Sequence, residues 1–255
     1  MHNMSKSMNE GLLEKFNKVE QIHWWWEGRK EILKQFIGKS RPKKILDVGC
    51  GTGETLSFLQ DTYPNTQLFG IDSSNKAISF SKKRGHKNIF KASALNLPFD
   101  DNYFDIVLFL DVLEHIGNDA KAISEAKRVL KKNGRIICTN PALKFIWSEH
   151  DSNQGHKRRY SKKDVVNLAK NSNLKVEKTA YFNFLLSPAI ILIRLLSRVR
   201  FFKHFTSYDN SLNYDIANMG VINSILKFLF TKEIQALKYI RYPFGISISA
   251  VFRKA

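Results

Sequence analysis

Three glycines at alternate positions, Gly49, Gly51 and Gly53, follow the short apolar run of Ile45, Leu46 and Val48. Such a run reads as a strand buried on both faces, and a loop so poor in side chains lets a ligand lie directly against the backbone. The segment from Glu54 to Asp61 has helical character, so the loop also presents the unpaired N–H groups of a helix N-terminus. That is a nucleotide cradle. A pyrophosphate-binding turn has the spacing G-x-G-x-x-G, whereas Glu54 stands here in place of the last glycine and would repel phosphates. Asp72, nineteen residues beyond Gly53 at the end of the apolar stretch 67–71, offers a carboxylate to both hydroxyls of a ribose.

A second set of reactive side chains falls in the polar stretch 142–160, with His150, Asp151, His156, Arg158, Arg159 and Tyr160. An imidazole there could take a proton as general base, and the two guanidinium groups could clamp an anion. The alternative is a loop of solvated charges. His150, Asp151 and His156 without a cysteine are a poor donor set, and no metal is expected. Between the two sets lies Asp111-Val-Leu-Glu-His115, whose Glu114 and His115 either open a helix or take part in catalysis.

The elements that must position these groups alternate. Strand-like runs at 44–48, 67–71, 88–91, 104–110, 135–140, 174–182 and 246–252 are separated by helical stretches, which is the pattern of an α/β fold. Helix 120–130 is expected to end on a glycine cap in Lys131-Lys-Asn-Gly134. Near the start, Leu12, Phe16 and Val19 have helical spacing, Trp24, Trp25 and Trp26 follow, and a second helical stretch covers 31–37. The tryptophans either staple the N-terminal helices to the domain or wall off a cationic ligand.

Taken in order, the acidic residue and G-x-G-x-G of Asp47 to Gly53, Asp72 after the second strand and Asp111 to His115 after the fourth resemble the class I S-adenosylmethionine-dependent methyltransferase family. The likeness covers residues 23–140 and is loose beyond them. It implies a Rossmann-like, mostly parallel sheet of seven strands in the order 3-2-1-4-5-7-6, with S-adenosyl-L-methionine as cofactor. It carries the cofactor to Asp47, Gly49, Gly51, Asp72, Ser73, Ser93, Ala94 and Leu110. Ser93 stands where the family usually has an aspartate for adenine, which leaves that base to backbone around Ala94 and to Leu95. Methyltransferases of ubiquinone biosynthesis are similar at the tryptophans and the following arginine, so Arg29 is the candidate for the cofactor's carboxylate. His150 and His115 are then the catalytic candidates, with His156, Arg159 and Tyr160 as candidates for acceptor binding.

At 255 residues the chain suits one α/β domain with elaborations. Cys50 and Cys138 are no disulfide framework, which suggests a reducing cytosol, and the polar start, 1–18, does not read as a signal peptide. A net charge of +18 and a pI near 9.8 imply an anionic partner, namely nucleic acid, a membrane surface or an acidic substrate, unless the lysines serve only solubility. Base methyltransferases carry Asn/Asp-Pro-Pro-aromatic after the fourth strand, but this chain has Leu110-Asp-Val-Leu113 there. Its Asn140-Pro-Ala-Leu143 follows the fifth strand instead, which argues against nucleic acid.

Roughly sixty residues separate the last two strands, where the family has a short turn. They include a helix expected to start with Ser187 as N-cap and Pro188 as its first residue, the basic Arg198, Arg200, Lys203 and His204, and a stripe of Ile222, Ile225, Leu226 and Leu229. The uncharged run 179–193 is shorter than the roughly twenty residues that span a bilayer. The insertion caps the core, pairs in a dimer or lies on an anionic membrane. The expected division is an N-terminal helical lid (1–40), a cofactor-binding core (41–183 and 243–255) and a helical insertion over the site (184–242). The expected activity is methyl transfer to a small or lipid-linked acceptor, such as a quinone, isoprenoid or glycan precursor, in the cytoplasm or peripherally at the membrane. The alternatives are an RNA methyltransferase and a non-catalytic basic protein that binds membrane or RNA.

Overall fold

The computed structural model describes residues 10–197 and 218–255, so Arg198, Arg200, Lys203 and His204 lie outside the described residues. Seven strands form one sheet in the order β3-β2-β1-β4-β5-β7-β6, the order expected. β1 (Lys44–Val48) runs parallel between β2 (Gln67–Asp72) and β4 (Phe104–Leu110), with β3 (Ile89–Lys91) outside β2. β5 (Leu130–Pro141) is parallel to β4, and β7 (Ser247–Arg253) is antiparallel to both β5 and β6 (Lys175–Phe182).

Side chains of successive strand residues point to opposite faces, so one sheet feeds two cores. Leu46, Val48, Val107 and Phe109 pack with Ile123 and Val129 of α5 (Asp119–Val129) and Val165 of α7 (Lys162–Asn171). Ile45, Ile106 and Leu108 pack on the other side with Ile32 and Leu33 of α2 (Trp24–Ile37) and Leu56 and Leu59 of α3 (Glu54–Thr62). Ile78 of α4 (Asn75–Lys83) joins that second core.

The structure departs from the expected elements in four places. α2 begins at Trp24, because the His23 ring nitrogen accepts the Trp25 N–H at 3.1 Å and caps the helix there. Its first turn therefore consists of the tryptophans, which helical geometry points in different directions. Trp24 and Trp25 meet Phe230 at ring distances of 5.2 and 5.4 Å, and Trp26 meets Phe16 of α1 (Glu10–Val19) at 5.2 Å. α5 ends without a glycine cap. Leu130 is already extended, and residues 131–134 bulge out as the register jumps from Phe104 opposite Leu130 to Ile106 opposite Arg135.

In the insertion, Ser187 is the first residue of α8 (Ser187–Leu196), not its cap, and its hydroxyl donates back to the Asn183 carbonyl at 2.5 Å. The stripe expected on α9 (Gly220–Ala236) divides between two sides. Leu226 packs against the core and Ile222 and Ile225 are exposed, whereas Phe230, Glu233 and Ile234 are buried. Asn223 fixes the rotation. Its side chain accepts the Trp24 N–H at 2.9 Å and donates to the Ile22 carbonyl at 2.8 Å, so a polar residue faces α2 and leaves Ile222 and Ile225 outward.

α2 and α9 approach closely only because residue 28 has no side chain. A Cβ at Gly28 would lie 2.0 Å from the Phe230 ring, which is held between Trp24 and Trp25. The Gly28→Ala variant is expected to lose about 1–3 kcal/mol to overpacking despite the better helix propensity of alanine. Denaturant unfolding checks this, and an unchanged or raised midpoint would contradict the packing described.

Candidate active site

A cavity of about 1270 Å³ opens at the carboxyl ends of the parallel strands, where open α/β sheets bind ligands. Its cofactor half is built on the loop after β1. Gly49, Gly51 and Gly53 have φ of 73°, 55° and 92°, left-handed values that a side chain would strain. A Cβ at Gly49 would press to 2.7 Å on Val112, but one at Gly51 would meet nothing within 4 Å, so Gly51 is bare toward the cavity. Asp72, at the tip of β2, accepts the Gly51 N–H at 3.0 Å and the Ser74 N–H at 2.8 Å. Burial raises its pKa, and these N–H groups oppose the rise.

Asp47 is fully buried at the end of β1, and burial drives its pKa to about 7 while the nearby Arg29 pulls it down. Arg29 donates to an Asp111 carboxylate oxygen at 3.3 Å and reaches the Thr55 hydroxyl at 3.5 Å. Ser73, Ser93, Ala94 and Leu110 also line the cavity, so all nine residues assigned to the cofactor face one space. The Ser93 hydroxyl accepts the Leu95 N–H at 3.2 Å and shapes the turn after β3.

A lid over this half carries a residue with no signal in the sequence. Glu20, just past α1, is buried, accepts from the Thr52 hydroxyl in the glycine loop and pairs with Arg84 at 2.5 Å. Arg84 also holds Glu54 at 2.8 Å. Leu13, Phe16 and the three tryptophans complete the wall.

The other half gathers acids and imidazoles. Asp111 ends β4 at φ 57°, a strained value for a residue with a side chain, and the Thr139 hydroxyl and Arg29 hold its carboxylate. Glu114 is buried, and one of its oxygens finds no hydrogen-bond partner among the described residues. Burial and then Asp111 raise its pKa. The donor atoms of Glu114, His115 and His156 lie within 4.8 Å of one another.

His156 in turn bonds through Nδ1 to Asp151 at 3.0 Å. Asp151, in α6 (Glu149–Asn153), is fully buried, and His156, Arg159 and Arg194 hold its pKa far below the usual carboxylate range against the pull of burial. Burial lowers His115 to about 4, helped by His156, and lowers His150 to about 3, helped by Arg194. Arg194, Ile190 and Ile193 bring α8 into the cavity wall.

Two residues assigned to the acceptor spend their polar atoms inside the protein instead. Arg159 is buried and donates to Asp151 at 2.8 Å and to the Ala142 carbonyl at 2.6 Å. Tyr160 is buried too, lies outside the cavity lining and donates to Asp119 at 2.7 Å. Arg158 pairs with the same Asp119 at 2.7 Å. The basic run looked like an anion clamp because its pairing with Asp151, eight residues away, and with Asp119, in α5, appears only in the fold.

A bare backbone cradle, a carboxylate at the second strand tip and a guanidinium across the cavity suit an adenosine that carries an amino acid, and together with the strand order they define a class. The class the chain resembles is that of the class I S-adenosylmethionine-dependent methyltransferases, whose cofactor is S-adenosyl-L-methionine. Residues 46–138 match the family model described as a methyltransferase domain.

Among curated relatives, a demethylmenaquinone methyltransferase from Thermotoga maritima is 32% identical over 110 residues, which cover 43% of this chain and 48% of the relative. One from Staphylococcus aureus is 30% identical over 139 residues, 51% of this chain and 56% of the relative. The chain thus spans about half the length of the curated relatives it matches. A Haemonchus contortus phosphoethanolamine N-methyltransferase 2, solved with phosphomonomethylethanolamine and S-adenosylhomocysteine, shares the fold. Its TM-score is 0.63 at 19% identity, over 98% of this chain and 59% of that one.

Asp47 gives the site a pH signature. Its folded pKa of about 7 lies above its ordinary 3.8, so between these values the folded state holds a proton that the unfolded chain releases. Stability from this group is present at low pH and is lost as pH rises through 7, on the order of 4 kcal/mol in all. In urea unfolding of the ligand-free protein, Asp47→Asn is therefore expected to gain stability relative to wild type from pH 5 to pH 8. Parallel pH profiles would contradict the assignment.

Proposed function

We propose that the protein transfers the methyl group of S-adenosylmethionine to the ring of a hydroxylated aromatic acceptor of the quinol class, one that carries an isoprenoid tail. The carrying observation is that His156, bonded through Nδ1 to the buried Asp151, lines the same cavity as the Gly51–Asp72 cradle. The demethylmenaquinone methyltransferases among the relatives support the acceptor class.

The sulfonium supplies an activated methyl group, so the chain contributes alignment and a place for the acceptor's proton. From the sequence, His150 and His156 were candidates for the base and His150 and His115 for catalysis. A ring held at about 3 or 4 is a feeble base, and the fixed His156, oriented by a fully buried carboxylate, suits the role better. Proton removal from a ring hydroxyl pushes electron density onto oxygen and the adjoining ring carbon, and either can attack the methyl group. Trp24, Trp25 and Leu110 keep water from that end of the cavity.

A second reading has one observation in its favour. Glu114, with its unpartnered oxygen, converges with His115 and His156 as a donor set for a divalent cation that would acidify the same hydroxyl.

The test combines labelled methyl donor with a reduced, short-tailed demethylated quinol and, separately, with a lipid extract and with RNA. Label in the quinol and in the quinone fraction of the lipids is expected, and label only in RNA or in no fraction would overturn the proposal. His156→Gln is expected to lower kcat by about 10²–10⁴-fold with S-adenosylhomocysteine binding intact. Loss of turnover on chelation, restored by added cation, would select the second reading, and indifference to chelation the first.

A further inference from the structure

The two described helices of the insertion are strongly apolar and yet poorly buried. α8 buries only Ser187 and leaves Leu192 58%, Ile193 41% and Leu195 39% exposed. α9 is apolar on two opposite sides. One side carries Phe230 and Ile234 into the core, and the opposite side carries Val221, Ile225 and Phe228, at 76%, 54% and 61% exposure. The spacing i, i+4, i+7 makes these three a single stripe pointing away from the protein. A helix apolar on both sides needs a second apolar surrounding, and a continuous patch of this kind marks a binding surface.

Charge identifies the surrounding. Residues 184–242 contain eight Lys and Arg against three Asp and Glu. One of the three, Glu233, is buried and accepts the N–H groups of Phe184 and Leu185, which ties the start of α8 to α9. Lys232, Lys238 and Arg241 are exposed along and just beyond α9, next to exposed Tyr239 and Ile240. A second copy of so basic a face would repel the first.

We propose that α8 and α9 seat the protein on an anionic lipid bilayer, their outward apolar side chains at the acyl boundary and their basic residues against the headgroups. No helix among the described residues is long and apolar enough to cross a membrane, so the element lies on the surface. The inference rests on the reading of an isoprenoid-tailed acceptor and adds its source. Ile190, Ile193 and Arg194 of α8 line the cavity, so the helix that meets the lipid is also a wall of the reaction chamber.

The experiment is co-sedimentation of the full chain with vesicles of phosphatidylcholine alone or with about one third phosphatidylglycerol. Wild type is expected to bind the anionic vesicles at least tenfold more tightly than the neutral ones, and less tightly as salt rises. Val221→Ser/Ile225→Ser/Phe228→Ser and Lys232→Glu/Lys238→Glu/Arg241→Glu should each weaken binding at least tenfold, with melting temperature and S-adenosylhomocysteine affinity unchanged because these side chains are exposed. Failure of wild type to bind anionic vesicles, or unchanged binding by both variants, overturns the proposal. So does a wild-type dimer that the apolar variant dissociates in the absence of any lipid binding. No acceptor is present in this assay, so its failure leaves the reaction standing, and failure of quinol methylation leaves the vesicle result standing.

Discussion

One carboxylate joins the two strand tips on which the site depends. Asp72 ends β2 and accepts the N–H of Gly51 from the loop after β1, so the glycine loop and the carboxylate proposed to hold a ribose are a single hydrogen-bonded unit. The contact is available only because β1 and β2 are parallel neighbours whose carboxyl ends coincide. It also needs a loop free to adopt left-handed φ at three glycines. The Ser74 N–H satisfies the other oxygen of Asp72, which fixes the carboxylate's direction and leaves lone pairs for a ligand.

From that unit the remaining charges are arranged outward. Arg29 crosses the cavity to Asp111, Thr139 holds Asp111 from β5, and the two halves of the site are thereby tied together. Each buried carboxylate meets the cost of desolvation differently. Asp151 collects His156, Arg159 and Arg194 and stays ionised, whereas Asp47 and Glu114 lack so full a set and are driven toward the protonated form. Behind His156 the site thus keeps a fixed negative charge, while burial favours the protonated form of Asp47 and Glu114.

The strands and the glycine loop were legible because their signals are local, whereas the strand order followed from the family resemblance. Glycine spacing, an apolar run ending in Asp72 and a fourth strand ending in Leu110 can be read within short windows, and these residues line one cavity. The acceptor half was not legible, because its chemistry depends on which charges pair once the stretch 142–160 folds back on itself and meets Asp119 and Arg194. Arg159 and Tyr160 looked free until Asp151 and Asp119 were brought beside them. Arg194 reaches the same aspartate from an insertion with no helical neighbour in the sequence to reveal it. Glu20 gave no signal, since one carboxylate after a polar helix resembles any solvated residue. Which side of α9 faces inward was left open for a related reason. Its apolar stripe is real, but Asn223 finds buried backbone partners on the N-terminal helices and sets the side of Phe230 and Ile234 inward.

The most direct measurement is a crystal structure of the protein grown with saturating S-adenosylhomocysteine. The account requires the ribose hydroxyls on Asp72, the amino-acid portion beside Gly51 and within reach of Arg29, and the adenine at the turn of Ser93 and Ala94. A ligand bound away from the tips of β1 and β2, or none at saturation, would contradict it.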